Sequence, residues 1–502
     1  MNEKYIPTIG LEIHAELATK SKMFCACVNN PDEEKPNVNI CPVCMGHPGT
    51  LPVLNHEAIK HVLKMGAAVG GTIADFTEWD RKNYFYPDIP KGYQISQYKY
   101  PLVSGGILAG VELTRIHLEE DTAQSTHDID EGSAGRDITD KSLVNFNRAG
   151  VPLMELVTEP VIHDAATAVR FAKELQLLLR YLGAGEANLE KGEMRVEANI
   201  SVASPADTAA GKFGTKTEVK NLNSFRAVER AIAYEIDRQV RAYEAGEKIV
   251  QETRGWSEAT QKTFTQRAKE SSHDYRYFPD PDIPKLKLSE LPEFSATALK
   301  AELPELPWVL RTRLATEHEM TDKEVAVFVD NISVYNYFKE TIKDFASDKK
   351  LVRLSINYIL TDYLGLLKKE FGEGNYFNKL SELILPTTFS ALIKLAASGQ
   401  INSRGAKDIL GILLANSLKG ENGMTDANNP EKIATEKGLI QKNDEGELKK
   451  IAAEIIAANP TVVADYKAGK AAALQFFIGQ AMKATKGSAN PSILKDTFVS
   501  LL

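Results

Sequence analysis

A strict alternation of apolar and polar residues near the amino terminus places the tightest constraint on the fold of this chain. Between Ile9 and Leu17 every second residue is apolar, and the residues between them are Gly10, Glu12, His14 and Glu16. A period of two predicts a β-strand with one face in a core and the other in a polar environment. Taken alone, such a polar face is more often solvated than functional, so its meaning depends on the neighbouring strands.

A second segment, Val151–Val157, is apolar in both phases of a strand, and Glu155 is its only charged residue. This pattern is typical of a strand that is buried on both faces. Burying an ionised carboxylate without a partner is very costly. We therefore expect Glu155 either to bind a metal ion or to pair with a buried arginine.

Two further strand-like segments carry acidic groups. Met194–Val202 alternates cleanly and places Glu197 on its polar face. The run that ends in His117-Leu-Glu-Glu-Asp121 is ambiguous, because one phase selects Glu119 and the other selects Glu120. Carboxylates on several strands, together with one histidine, suit a hard divalent cation such as Mg²⁺, which prefers oxygen ligands.

All four cysteines lie in one short stretch with the pattern C-x-C-x13-C-x-x-C, at Cys25, Cys27, Cys41 and Cys44. In a reducing compartment, two closely spaced pairs favour metal ligation over disulfides. Four thiolates fill every position of a tetrahedral zinc site, so we predict a structural Zn²⁺. The alternatives are four unconnected buried thiols, which the paired spacing disfavours, or a redox pair at Cys41 and Cys44, which lacks a thioredoxin-like context.

Cationic side chains among aromatic residues mark two other segments. Asp80–Gln97 contains Arg81, Lys82 and Lys91, and Asp274–Asp280 has a similar composition. Such segments can bind phosphate groups and stack on bases, and they can equally be ordinary packed loops. Any ATP site would differ from a P-loop, because the chain has no G-x-x-x-x-G-K-[ST] motif.

The 502 residues are enough for about three domains. Six of the 22 prolines fall between Pro279 and Pro307, which predicts an irregular connection there. The chain beyond it has helical periodicity, with one face drawn by Val352, Ile356, Ile359, Tyr363 and Leu366. Breakers follow Lys419, and the last stretch is helical again. We predict an α+β domain at 1–295, a helical domain at 296–419 and a helical tail at 420–502.

The composition, with 43% apolar and 25% charged residues, is that of a globular protein. The net charge of −8 excludes a general nucleic-acid-binding surface but permits a local basic patch. The tail is basic where the whole chain is acidic, and the lysines that could form a local nucleic-acid-binding patch there are Lys467, Lys470, Lys483 and Lys486. Neither a secretory signal nor an apolar run of membrane-spanning length is present, so we expect a cytoplasmic protein that contacts no membrane.

Several motifs together closely resemble the GatB/GatE family of tRNA-dependent amidotransferase subunits. They are Ile9-Gly-Leu-Glu-Ile-His14, Asp80-Arg-Lys-Asn-Tyr-Phe-Tyr-Pro-Asp88, Tyr93-Gln-Ile-Ser-Gln97, Glu119-Glu-Asp121, Lys220-Asn-Leu-Asn-Ser-Phe225 and Asp274-Tyr-Arg-Tyr-Phe-Pro279. The resemblance runs essentially the whole length, and the ending is similar to the family's YqeY-like tail. The chain has no room for the synthetase-like insertion of the GatE branch, which favours the GatB branch.

The resemblance implies a first domain related to glutamine synthetase and guanidino kinases, called the cradle. It implies phosphorylation of the side-chain carboxylate of Glu-tRNA(Gln) or Asp-tRNA(Asn) with ATP and Mg²⁺. Ammonia released from glutamine on the GatA subunit then forms the amide, the small GatC subunit joins the two larger subunits, and the helical and tail domains bind tRNA. Such an enzyme is a carbon–nitrogen ligase with glutamine as amido donor.

Carried over residue by residue, the resemblance implies the catalytic metal ligands Glu12, His14, Glu120 and Glu155, with Glu197 as a further candidate. It favours Glu120 over Glu119. The assignment of Arg81, Lys82 and Lys91 to ATP phosphates rests on charge alone. The alternative function is a tRNA-presenting scaffold of the same complex with an inactive cradle, which the intact ligand set disfavours. Whether the substrate is Glu-tRNA(Gln), Asp-tRNA(Asn) or both is open.

Overall fold

The chain forms two compact units, residues 1–307 and 308–502, in the computed structural model. The residues described are 4–127, 142–268, 275–372, 376–420, 426–441, 445–470, 472–485 and 489–502. The first unit is a mixed α+β structure and the second is helical. This architecture confirms the predicted α+β class.

The first unit is built largely from strands. The earlier strands are β1 (Ile6–Glu16), β2 (Thr72–Ile73), β3 (Phe76–Thr77), β4 (Asp80–Asn83), β5 (Tyr93–Ser96), β6 (Val103–Ser104), β7 (Ile107–Leu108), β8 (Val111–Glu120), β9 (Gln124–His127), β10 (Ser142–Asn145) and β11 (Pro152–Thr158). The later strands are β12 (Met194–Ala203), β13 (Thr217–Leu222), β14 (Glu252–Ser257), β15 (Lys262–Ala268), β16 (Phe278–Pro279) and β17 (Leu286–Lys287). The helices of this unit are α1 (His56–Ala68), α2 (Ala165–Tyr181), α3 (Pro205–Ala209), α4 (Phe225–Glu244) and α5 (Ala296–Ala301), with 3₁₀ turns at Leu288–Glu290 and Pro292–Phe294.

Within the described residues, one large sheet has the order β15-β14-β13-β12-β1-β11-β8-β6-β2, with β7 paired to β8. Its pairs are antiparallel except β13 with β14, which is parallel. The strands β1, β11, β8 and β12 are therefore central, so side chains from distant parts of the sequence meet on one sheet face. A separate small sheet has the order β16-β4-β5.

The predicted alternation in β1 is confirmed. Ile9, Leu11 and Ile13 are no more than 1% exposed. The facing helices begin at side-chain caps, since Asp164 accepts from the Thr167 N–H and Ser224 accepts from the Ala227 N–H. Helix α4 packs on β12 and β13, and α1 packs on β8. The apolar phase of the strands thus builds the core, and the polar phase stays on the opposite face.

The second unit is made of helices. They are α6 (Pro307–Glu317), α7 (Asp322–Asp330), α8 (Ile332–Ile342), α9 (Lys349–Asn357), α10 (Leu364–Phe371), α11 (Leu380–Leu383), α12 (Pro386–Ala397), α13 (Ser403–Leu418), α14 (Pro430–Glu436), α15 (Glu445–Ala458), α16 (Pro460–Lys467), α17 (Ala472–Ala484) and α18 (Pro491–Leu501). Short 3₁₀ turns occur at Phe377–Lys379 and Asp426–Asn428, and a π-helical turn, Tyr358–Tyr363, joins α9 to α10.

The π-helical turn changes one detail of the predicted helical face. Val352, Ile356 and Ile359 are buried as expected, but Leu367 is fully buried where the sequence pattern selected Leu366, which is half-buried. A π turn uses one additional residue per turn, so the buried face advances by one position beyond it.

The domain divisions differ from those expected from the sequence. The units divide at Pro307, not after residue 295, because α5 packs on α1 and the Lys60 Nζ contacts the Glu302 Oε2 at 2.9 Å. Helix α14 packs on α12 and α13, so the chain just after residue 420 belongs with the middle helices. A separate core begins at α15 and is formed by Leu448, Ala452, Phe477, Ala481, Ala489, Leu494 and Phe498.

In the part of the chain that the structure describes, no single helix has the length and apolar character needed to cross a membrane. One pair of segments, Phe377–Leu383 and Pro386–Ala397, meets that requirement together by length and composition alone and is bent by 79°.

Candidate active site

A row of four polar residues crosses the centre of the large sheet. His14 on β1 lies opposite Glu155 on β11 and opposite Arg195 on β12, and Glu155 in turn lies opposite His117 on β8. Side chains directly opposite each other on one sheet face are close enough to interact. The polar phase of β1 and the single charge of β11 are thus brought together by strand pairing.

The two imidazoles of this row both face one carboxylate oxygen. Glu155 Oε2 lies 3.3 Å from His14 Nε2 and 3.3 Å from His117 Nε2. Glu119 completes the group, with Oε1 at 3.7 Å from His14 Nε2 and Oε2 at 3.7 Å from His117 Nε2. Glu12 Oε1 lies 4.0 Å from His14 Nε2 at the more exposed side. We call Glu12, His14, His117, Glu119 and Glu155 the carboxylate–histidine cluster.

Electrostatics within the cluster hold its members in opposite charge states. Burial alone disfavours every charged form, but the charge and hydrogen bond of His117 and His14 hold the pKa of Glu155 well below its usual range. Reciprocally, and against the effect of burial, Glu155 and Glu119 raise the pKa of His117 to about 9. Burial, reinforced by the charges of Glu155 and Glu197, raises the pKa of Glu12. The cluster therefore combines tightly held anions with imidazoles that would exchange a proton for a metal ion.

The donor atoms fit a divalent cation. The ligand atoms of Glu12, His14 and Glu155 lie within 4.8 Å of one another, as do those of His117, Glu119 and Glu155. Carboxylate oxygens with one or two imidazole nitrogens suit Mg²⁺ or Mn²⁺. A neighbouring set joins Glu12, Glu197 and Glu218, whose atoms also lie within 4.8 Å.

Glu197 is already balanced by a cation. Lys220 Nζ on β13 donates to Glu197 Oε2 at 2.7 Å and lies 3.6 Å from Glu218 Oε1. The predicted ligand Glu197 therefore lies beside Glu12, at the border of the carboxylate–histidine cluster and outside it.

Glu120, which the resemblance favoured as a ligand, is not brought into the cluster. Its carboxylate accepts from Lys91 Nζ at 2.5 Å and from the Ile95 N–H at 2.9 Å. Successive side chains of a strand point to opposite faces. Because Glu119 points toward His14, Glu120 points away from it.

The three basic residues assigned to phosphate binding separate in the same way. Arg81 Nε donates to Asp280 Oδ2 at 2.7 Å, and Lys91 is occupied by Glu120. Both line a cavity of about 220 Å³ beside the cysteines and apart from the cluster. Lys82 differs from both, because the negative charge of Glu119 raises its pKa despite the opposing effect of burial.

His117 is the cluster residue that sequence reasoning passed over. Its side chain is 3% exposed and faces the same carboxylate as His14. A signal for it existed in the sequence, since His117 and Glu119 share one phase of β8. The alternation of apolar and polar residues could not select that phase, because both phases are buried in the last five residues of β8.

The four cysteines come together in the loops between β1 and α1. One sulfur atom from each lies within 4.8 Å of the others, and the Cys41 N–H donates to Cys44 Sγ at 3.1 Å. A hydrogen bond from Cys25, opposed by burial, lowers the pKa of Cys44 to about 5, while burial raises the pKa of Cys27 to about 11. In a tetrahedral zinc site the Zn–S distance of about 2.3 Å places sulfurs roughly 3.8 Å apart. The cluster could therefore hold zinc.

The candidate lysines of the tail are exposed where they are described. Lys467 and Lys483 are exposed, and Lys470 is exposed but paired with Asp465 Oδ1 at 2.7 Å. Lys486 and Asp274 lie outside the described residues.

Comparison with known proteins adds two family matches and a set of full-length relatives. Residues 7–292 match the model described as the GatB/GatE catalytic domain, and residues 336–502 match one described as the GatB domain. Three relatives are, by name, B subunits of an aspartyl/glutamyl-tRNA(Asn/Gln) amidotransferase. That of Rippkaea orientalis is 42% identical over 98% of this chain and 96% of its own length. That of Thermomicrobium roseum is 43% identical over 97% and 96%, and that of Thermotoga maritima is 42% identical over 99% of both chains.

Proposed function

Because this chain belongs to the GatB/GatE family, we propose that it is the amidotransferase subunit in which a tRNA-bound side-chain carboxylate is phosphorylated and then amidated. Its substrates are Glu-tRNA(Gln), Asp-tRNA(Asn) or both, and its products are the corresponding glutaminyl and asparaginyl esters. It acts in a complex with GatA, which releases ammonia from glutamine, and with the small GatC subunit. Since the reaction belongs to translation, we expect the complex in the cytoplasm.

The reaction makes a poor electrophile reactive. A side-chain carboxylate oxygen attacks the γ-phosphorus of ATP, and the bond from that phosphorus to ADP breaks. Ammonia then attacks the acyl carbon, and phosphate leaves with the oxygen that it received from the carboxylate. Phosphoryl transfer depends mainly on positioning and on neutralising the charge of the phosphate oxygens.

The carboxylate–histidine cluster carries this proposal. Glu12, His14, Glu119 and Glu155 are the residues that would hold the catalytic Mg²⁺, which, when bound, neutralises phosphate charge. Glu119 replaces Glu120 in this set because its side chain shares the site with His14. Lys82 would face the phosphates, since it is the basic residue of its segment whose charge is felt by Glu119.

Replacing Glu155 by glutamine tests the proposal. The change removes one charge while keeping the size of the side chain, so ADP formation that depends on Glu-tRNA should fall by about 100-fold or more. Glu112→Gln is the matched control, because Glu112 lies on β8 and is exposed. Wild-type ADP formation by the Glu155→Gln complex would overturn the assignment.

The finer architecture follows the same reasoning. We propose that the first unit is a cradle of the glutamine-synthetase and guanidino-kinase type, with a structural Zn²⁺ at Cys25, Cys27, Cys41 and Cys44. The helical unit would bind tRNA, with the YqeY-like tail contributing the exposed Lys467 and Lys483. A scaffold without catalysis is the second candidate, and the clustering of four potential ligands around Glu155 argues against it.

A further inference from the structure

A second cavity of about 450 Å³ lies at the edge of the small β16-β4-β5 sheet. Its volume falls within the roughly 300–1,000 Å³ of typical ligand pockets. Its lining includes four aromatic rings, from Phe76, Tyr98, Tyr100 and Tyr277, and two carboxylates, from Glu78 and Asp80. We call it the aromatic pocket.

Two of the rings in the aromatic pocket stack on each other, and one of them is exposed. Tyr98 and Tyr277 stack with ring centroids 4.4 Å apart and an angle of 11° between the rings, and Tyr98 is 62% exposed. Phe76 meets Tyr100 edge to face at 5.0 Å. An exposed and stacked tyrosine offers its outer face to another planar ring.

The charges of the aromatic pocket are balanced. Glu78 Oε2 lies 3.0 Å from Lys285 Nζ, and the buried Asp80 accepts from the Tyr98 N–H at 3.1 Å. Lys285 lies over the Phe76 ring at 5.8 Å, and Lys99 lies over the Tyr100 ring at 5.1 Å. Two anions are thus matched by two cations that already cover two rings, which disfavours both a phosphate and a cationic ligand.

A neutral planar group that donates hydrogen bonds suits this arrangement. A carboxylate has about four acceptor positions, so Glu78 and Asp80 can accept from a ligand amino group in addition to their present donors. A nucleobase with an exocyclic amino group combines that donor with a stacking face, and aromatic side chains stack on bases readily.

A series of ring contacts leads from the aromatic pocket to Lys82. Lys82 Nζ, whose pKa is raised by the charge of Glu119 in the cluster, lies 5.1 Å from the centroid of Tyr275. Tyr275 meets Tyr277 at 6.0 Å, and Tyr277 stacks on Tyr98. Tyr98 is therefore linked to Lys82 through the rings of Tyr277 and Tyr275.

We propose that the aromatic pocket binds an adenine base. This inference rests on the proposed function, because both reactants of that reaction carry adenosine: ATP, and the tRNA whose terminal adenosine bears the amino acid. The chemistry is the same for either source. The ring would stack on Tyr98, and the amino group would donate to the carboxylates of Glu78 or Asp80.

Replacing Tyr98 by alanine in the complete heterotrimer tests the proposal. Loss of one stacking partner, worth about 1–3 kcal/mol, corresponds to a 5- to 150-fold loss of affinity. If ATP supplies the base, the Kd and KM of ATP rise by that factor. If tRNA supplies it, ATP affinity is unchanged and the affinity difference between tRNA with and without its terminal adenosine disappears.

The controls separate this inference from the function that it rests on. Tyr98→Phe keeps the ring and should bind within threefold of wild type, and Phe213→Ala removes an aromatic side chain that is 54% exposed and outside the aromatic pocket. Tyr98→Ala should raise the Kd or KM by the stated factor, whereas Glu155→Gln lowers kcat at saturating ligand. Unchanged affinity for ATP and for both forms of tRNA in Tyr98→Ala would overturn the adenine assignment and leave the proposed function intact.

Discussion

Replacing Glu119 and Glu120 in turn by glutamine makes the same chemical change at adjacent positions with opposite surroundings. Glu119 faces His14 and His117 at 3.7 Å, whereas Glu120 pairs with Lys91 at 2.5 Å. If Glu119 holds the catalytic Mg²⁺, its neutralisation removes a ligand charge. Loss of groups that only support metal ligands costs up to about 100-fold in affinity, so we expect at least that effect, about 2.7 kcal/mol.

Glu120→Gln should lower the free energy of unfolding without weakening Mg²⁺ binding. The side chains of Lys91 and Glu120 are 10% and 6% exposed, so the pair is buried. Removing one partner leaves an uncompensated charge, which costs about 3 kcal/mol of unfolding free energy. The Mg²⁺ concentration for half-maximal activity should not change.

The assay is ADP formation by the heterotrimer with Glu-tRNA, measured against free Mg²⁺, together with denaturant unfolding of each variant. The expected pattern is a rise of about 100-fold in the Mg²⁺ requirement for Glu119→Gln alone. Glu112→Gln, on the same strand, controls for a general effect of lost charge. An equal rise in the Mg²⁺ requirement for Glu120→Gln would mean that strand phase does not separate the roles of the two glutamates.

Three further predictions concern stability, zinc and tRNA. Burial and Asp121 raise the pKa of Glu16 from 4.5 to about 8. Between these pH values the folded protein holds a proton that the unfolded chain has lost, so the free energy of unfolding falls as the pH rises, by at most about 1.4 kcal/mol per pH unit. Glu16→Gln should remove this contribution. Denaturant unfolding of wild type and variant at pH 5.5 and 7.5 measures it, and an equal change in unfolding free energy in the two proteins would contradict the prediction. Purified protein should contain about one zinc per chain by elemental analysis, and Cys41→Ser should lower that content; metal-free wild type with four reactive thiols would contradict it. Lys467→Glu and Lys483→Glu should each weaken tRNA binding and reduce its salt dependence by about one counterion, whereas unchanged affinity would make these lysines a solvated face.

The strands of the sheet could be predicted from the sequence because a strand with one buried face has an apolar residue at every second position. The alternation around His14 predicted which residues of β1 enter the core, and all of them do. The lone charge of Glu155 in an apolar run predicted a partner, and both kinds of partner are present. Arg115 Nη2 lies 3.4 Å from Glu155 Oε1, and the other carboxylate oxygen faces the possible metal ligand His14.

Details that depend on pairing between distant residues could not be read from the sequence. Arg81 looked available for phosphate, but it pairs with Asp280, which is 199 residues away. Glu119 and Glu120 could not be separated, because all five residues from Ile116 to Glu120 are buried and period two has no contrast there. The additional residue of a π turn likewise moved the buried position from Leu366 to Leu367.

Phosphorylation of the substrate carboxylate moves one of its oxygen atoms to phosphate, and that transfer can be measured. Glu-tRNA carrying ¹⁸O in both oxygens of the side-chain carboxylate is converted by the complex with ATP and glutamine, and the released phosphate is analysed by mass spectrometry. Phosphorylation of the carboxylate predicts one ¹⁸O in each phosphate released per amide formed, and no such transfer by the Glu155→Gln complex. Amide formation with phosphate free of ¹⁸O would show that the carboxylate is not phosphorylated.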